Sequence, residues 1–135
     1  MKDMHYTLIT GATSGIGKAC AEAIAATGKN LIILARREQR LNDLKKELET
    51  KYKISVRAYQ LDVQKIEDIE NFFTMIQDTS IDVLINNAGL ARGKAHFEDY
   101  DWTDIQEMIE TNIIGFTKIA QKTIPFLKKT KGHII

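Results

Sequence analysis

The sequence predicts an α/β fold built on a doubly wound parallel sheet. Three observations carry that expectation. Apolar runs without alternation recur along the chain, segments of helical period separate them, and no repeat, linker or low-complexity stretch interrupts the succession. Parallel neighbours cannot be joined by tight hairpins, so strands that alternate with helices imply right-handed crossovers with helices on both faces of the sheet.

Taken in order, residues 6–10 (YTLIT) are the first strand, a run without alternation as expected when both faces are covered. A helix follows, with Ile16, Ala19, Cys20, Ala23 and Ile24 at helical spacing. Residues 30–35 (NLIILA) repeat the strand signal, and Leu41, Leu44 and Leu48 mark the second helix. Residues 54–61 (ISVRAYQL) alternate instead, with Ser55 and Arg57 between Ile54, Val56 and Ala58, so one face meets water and the strand lies near a sheet edge. Ile66, Ile69, Phe73 and Ile76 give the third helix, and residues 81–86 (IDVLIN) a further buried strand. The longest periodic segment covers residues 102–128, with Ile105, Met108, Ile109, Ile113, Phe116, Ala120, Ile124 and Leu127 in one stripe. Pro125 is expected to bend or end its last turns, Gly132 to stop it, and residues 133–135 to begin a fifth strand.

Composition bounds the function classes. A chain of 135 residues suits one domain and buries about 68% of its unfolded surface. With 19 basic and 18 acidic side chains the net charge is +1, too small for a field that would draw in nucleic acid or an anionic membrane. Lys128, Lys129 and Lys131 read as a solvated helix end. The single cysteine, Cys20, excludes an internal disulfide and suits core packing in a reducing compartment. The start, MKDMHYTL, lacks the apolar segment of a signal peptide, and no apolar run approaches the ~20 residues of a membrane span. The expectation is a cytoplasmic protein with no bound metal.

The chemistry concentrates at strand ends. ITGATSGIGKA joins the first strand to the first helix and holds Gly11, Gly15 and Gly17 in a T-G-x-x-x-G-x-G pattern. Residues without a Cβ let the loop turn tightly and let a pyrophosphate approach backbone N–H groups at a helix N-terminus. Thr13 and Ser14 add hydroxyls. The G-K-[ST] ending of a P-loop is absent, which argues against ATP hydrolysis.

At the end of the second strand, where a carboxylate would hold an adenosine ribose 2′-hydroxyl, stand Arg36 and Arg37. Arginine pairs with a 2′-phosphate, and a hydrogen bond to a charged group is worth about 1.5–3 kcal/mol, roughly one to two decades of preference for NADP(H). The bland alternative is two solvated arginines at a helix start. Asp62, before Val63, suits a helix cap. Asn86, Asn87, Ala88 and Gly89 follow the fourth strand at the end where open parallel sheets bind ligands, and equally suit a polar turn. Asn112 falls on the apolar stripe of the long helix, so its amide either bonds neighbouring backbone or serves a site.

Together TGATSGIG at 10–17, ARR at 35–37, LDV at 61–63, NNAG at 86–89 and ETN at 110–112 resemble the short-chain dehydrogenase/reductase family over essentially the whole chain. The resemblance implies a Rossmann-like sheet of strand order 3-2-1-4-5, truncated before the last strands, with residues 1–135 as the NADP(H)-binding portion of one domain. It implies NADP(H) on Gly11, Thr13, Ser14, Gly15, Ile16 and Gly17, with the 2′-phosphate on Arg36 supported by Arg37. Asp62 and Val63 would meet adenine, Asn87, Ala88 and Gly89 would line the adenosine side, and Asn86 would brace the central strand. Asn112 would hold a water of a proton relay and tolerate a local break in the helix. The family chemistry is hydride transfer between nicotinamide and an alcohol or carbonyl, using a serine and a Y-x-x-x-K pair; this sequence contains no Y-x-x-x-K. ARREQRL, NNAGLARG and the D-W…T-N segment look most like NADP-dependent dehydrogenases of 3-hydroxy acids such as serine and allo-threonine. The remaining alternatives are a non-catalytic dinucleotide-binding module and a self-associating piece, since the long helix is similar to the family's dimer helix and implies a homo-oligomer. Arg92, Lys94 and His96 read as surface charges.

Overall fold

The computed structural model describes residues 4–135. Five strands form one parallel sheet: β1 (His5–Thr10), β2 (Asn30–Ala35), β3 (Val56–Gln60), β4 (Ser80–Ile85) and β5 (His133–Ile134), in the order β3-β2-β1-β4-β5. The helices are α1 (Gly15–Ala26), α2 (Glu38–Tyr52), α3 (Ile66–Met75), α4 (Trp102–Ile109) and α5 (Phe116–Thr130), with a π-helical segment, Glu110–Gly115, joining the last two.

Two apolar cores lie on opposite sides of the sheet because successive strand residues point to opposite faces. Leu8, Ile32, Leu34 and Leu84 pack with Ile69, Phe72 and Phe73 of α3 and with Ile119 and Leu127 of α5. Ile9, Leu31, Ile33 and Ile85 pack with Ala21 and Ala25 of α1 and with Leu41, Leu44 and Leu48 of α2. The unalternating strands 1, 2 and 4 are therefore covered on both sides, as their composition predicts. β3 is the edge strand expected from its alternation: Arg57 and Gln60 are exposed there, and the Arg57 guanidinium lies 4.7 Å from the centre of the Tyr6 ring.

Four local expectations need correction. In α1 the residues facing the sheet are Gly17, Ala21 and Ala25, whereas Ala19 and Ala23 are exposed and Ile16 is 75% exposed. Small residues bring this helix close to the strands. In the long helix the covered face is Thr111, Gly115, Ile119, Thr123 and Leu127, while Ile109, Ile113, Phe116 and Ile124 of the expected stripe face outward. Burial of threonine there is tolerated because the Thr123 hydroxyl donates to the Ile119 carbonyl at 2.7 Å.

Pro125 lies inside α5 and does not end it. Its ring leaves the carbonyl of exposed Gln121 without a helical donor, and solvent can serve that group. The residue that stops the helix is Lys131, in the left-handed conformation at φ 54°, one position before the expected Gly132. β5 then begins where the sequence places it, pairing His133 with Val83 and Ile134 with Leu84.

Candidate functional site

The C-terminal ends of β1, β2, β3 and β4 open into one cleft of about 460 Å³, within the range of small-molecule sites. Its floor is the loop between β1 and α1. Gly11 and Gly15 have φ of +61° and +53°, a region L side chains rarely adopt. Gly17 answers a different need, because a Cβ there would run into the Gly11 carbonyl and the Asn87 amide. The loop therefore closes on itself only with hydrogen at that position. Ser14 stands at the N-cap of α1 without a side-chain capping bond, so its hydroxyl and the first N–H groups of the helix remain to be satisfied.

The segment after β4 is stitched to this loop. The Asn87 side-chain amide donates to the carbonyls of Thr10 and Gly11, each at 3.2 Å, and the Ala88 N–H donates to the Thr10 hydroxyl at 2.9 Å. Asn86 turns the other way: it is 9% exposed and donates to the Phe116 carbonyl at 3.0 Å, tying the central strand to the start of α5. A bland polar turn would not need these four bonds.

Arg36 and Arg37 line the cleft beyond β2, and neither guanidinium has an ion-pair partner among the described residues. Asp62 lines it beyond β3, but the expected cap is a turn: its carboxylate accepts from the Gln64 N–H at 3.0 Å, and the N-cap of α3 is Lys65. Of the thirteen residues expected at a cofactor, the structure brings Gly11, Thr13, Ser14, Gly15, Ile16, Arg36, Arg37, Asp62, Val63, Asn87, Ala88 and Gly89 into the cleft wall. Gly17 lies just beneath it.

Asn112 does not line the cleft, and its side chain is exposed rather than buried in an apolar stripe. Its amide forms a reciprocal pair with Leu90, donating to the carbonyl and accepting from the N–H, both at 2.7 Å. Of the two uses left open for this amide, the structure displays the backbone bond. Asn112 lies inside the π-helical segment, where the widened turn marks the expected break in helical geometry. Arg92 does not reach the cleft either; it is held by Glu107 at 3.1 Å.

Sequence reasoning missed Leu90 and Thr111 in the wall and Gly115 behind it. A Cβ on Gly115 would strike the Val63 carbonyl, so this glycine lets the helix approach the turn that carries Asp62. A glycine inside a helical pattern was the available signal.

The donor set fits a dinucleotide: a Cβ-free cradle at a helix N-terminus for pyrophosphate, and two guanidinium groups one strand away that have no ion-pair partner among the described residues. Residues 5–135 match the short chain dehydrogenase family model. The chain belongs to the short chain dehydrogenase family. Among its relatives, the chain is 42% identical over 98% of its length to the NADP-dependent 3-hydroxy acid dehydrogenase of Schizosaccharomyces pombe. It covers 53% of that protein. An alcohol dehydrogenase of Thermococcus sibiricus, solved in complex with 5-hydroxy-NADP, superposes with a TM-score of 0.92 at 34% identity over 98% of this chain and 57% of its own. A short-chain dehydrogenase of Sphingobium yanoikuyae in complex with NADPH superposes at 0.87 with 32% identity, covering 96% of this chain and 51% of its own. The chain thus spans about half the length of the relatives it matches. Among the described residues no helix is long and apolar enough to cross a membrane.

Proposed function

We propose that residues 1–135 form the NADP(H)-binding portion of a single-domain oxidoreductase, one that transfers hydride between nicotinamide and a small alcohol or carbonyl, with a 3-hydroxy acid as the favoured substrate class. The observation that carries this reading is the conjunction of a glycine cradle that admits no Cβ at Gly17 with two unpaired arginines in the same cleft wall. The names of the relatives support the cofactor and the substrate class.

When bound, the nicotinamide supplies or accepts the hydride. The residues here bind and orient. Gly11, Ser14, Gly15, Ile16 and Gly17 would hold the pyrophosphate, with Thr13 adding a hydroxyl; Arg36 and Arg37 would hold the 2′-phosphate, and Asp62 and Val63 adenine. Asn87, Ala88 and Gly89 would line the adenosine side. Asn112 would act as a positioning residue through Leu90 and would help hold a water of the proton relay from the π-helical segment. The sequence holds no Y-x-x-x-K pair to serve as acid and base. The 135-residue chain by itself is therefore expected to bind without turnover.

Calorimetric titration tests the binding claim. NADPH should bind about ten- to a hundredfold tighter than NADH, and Arg36→Ala should remove most of that gap. Equal affinities in the unmodified chain would refute the reading.

A second reading concerns association and rests on the outward-facing Ile109, Ile113, Phe116 and Ile124. We infer that this apolar face packs against a second copy, because contiguous exposed apolar surface on a helix marks an interaction site.

A further inference from the structure

The cleft does not end at the arginines. It continues into a smaller recess of about 300 Å³ lined by Arg36, Gln60, Leu61, Asp62, Lys65 and Asp68. Arg36, Leu61 and Asp62 line both cavities, so the recess is an annex of the cleft rather than a separate site. Among the described residues, Leu61 is the only apolar one in its wall. The Gln60 amide donates to the Arg36 carbonyl at 2.9 Å and so fixes the backbone that carries the guanidinium to the edge strand.

Lys65 reaches this recess from another element, the turn between β3 and α3. Its side chain is exposed, and its ammonium has no ion-pair partner among the described residues. We propose that the annex receives the adenosine 2′-phosphate and that Lys65 is a specificity-determining cation there, acting beside Arg36 from a separate turn. The proposal rests on the NADP(H) reading above and adds a residue to it. Two carboxylates share the annex. The Asp62 carboxylate is engaged by the Gln64 N–H, whereas Asp68, three residues beyond Lys65 in α3, opposes a dianion without such a bond. The wall therefore holds charges of both signs, and neutralising one of each should move phosphate affinity in opposite directions.

The test uses adenosine 2′,5′-bisphosphate and adenosine 5′-monophosphate, which differ only in the 2′-phosphate. Calorimetric titration of Lys65→Gln should show about two- to fivefold weaker binding of the bisphosphate with the monophosphate unchanged, the range of an exposed charge pair. Asp68→Asn should tighten the bisphosphate by up to about twofold, and high salt should shrink both effects. A bisphosphate preference in the unmodified chain that Lys65→Gln leaves intact, or a loss shared equally by both nucleotides, would overturn the role of Lys65 while the cofactor reading stands. No preference between the two nucleotides in the unmodified chain would overturn the cofactor reading and this inference with it.

Discussion

The glycine cleft and the outer face of the long helix differ in how their requirements are met. Around the cleft the loops are tied to one another by the chain's own bonds: Asn87 holds the Thr10 and Gly11 carbonyls, Thr10 holds Ala88, and Asn112 holds Leu90. On the helix, Ile113 is 59% exposed and Phe116 43%. The first region is knit by the chain's own hydrogen bonds; the second is an apolar surface that water covers poorly. Substitutions should therefore act on binding in one place and on association in the other.

The largest expected effect is at Gly17. An alanine Cβ would meet the Gly11 carbonyl and the Asn87 amide, and overpacking of this kind costs about 1–3 kcal/mol. Gly17→Ala should lower the melting temperature and weaken NADPH by tenfold or more; unchanged calorimetry would show that the loop yields. Next is Asn112→Ala, which strips Leu90 of two partners, each worth about 0.5–1.5 kcal/mol. Faster amide exchange confined to the segment around Leu90 is the expected signature, and an unchanged exchange pattern would remove Asn112 from its positioning role.

Phe116→Lys should abolish self-association seen by light scattering while changing unfolding free energy by no more than about 0.5 kcal/mol. A large stability loss would place Phe116 in the core instead. The smallest effect concerns Glu70, which receives Lys118 at 2.8 Å and also pairs with Lys122. The bonds to these lysines hold its carboxyl below the ordinary value of 4.5. A depressed folded-state value means the pair stabilises above the unfolded value and that this contribution fades as pH falls through the lower folded one. Glu70→Gln should flatten the acid limb of a melting-temperature profile slightly and leave the neutral region nearly unchanged.

The contrast also separates what was legible in the sequence from what was not. Gly11, Gly15 and Arg36 were readable because each answers a local demand, a positive φ or a charge at a strand end, whereas Asn87 equally suited a polar turn and took its role from the resemblance. Both cores followed from runs such as NLIILA, whose residues divide between the two faces, whereas the strand order came from the family resemblance. The long helix was misread because 3- and 4-residue spacing shows that a stripe exists without saying which stripe is covered. Thr111, Gly115 and Thr123 look polar or small, yet they lie on the covered face. The annex was invisible for another reason: Arg36 and Lys65 come from turns 29 positions apart and meet only once β2 and β3 are paired.

The most direct test is an amide chemical-shift map of the chain on addition of NADPH. The account predicts shifts at Gly11, Ser14 to Gly17, Arg36, Asp62 and Asn87 to Gly89, with Ile113, Phe116 and Ile124 unmoved. Shifts centred on the outer face of the long helix, or none in the glycine loop at saturating NADPH, would contradict it.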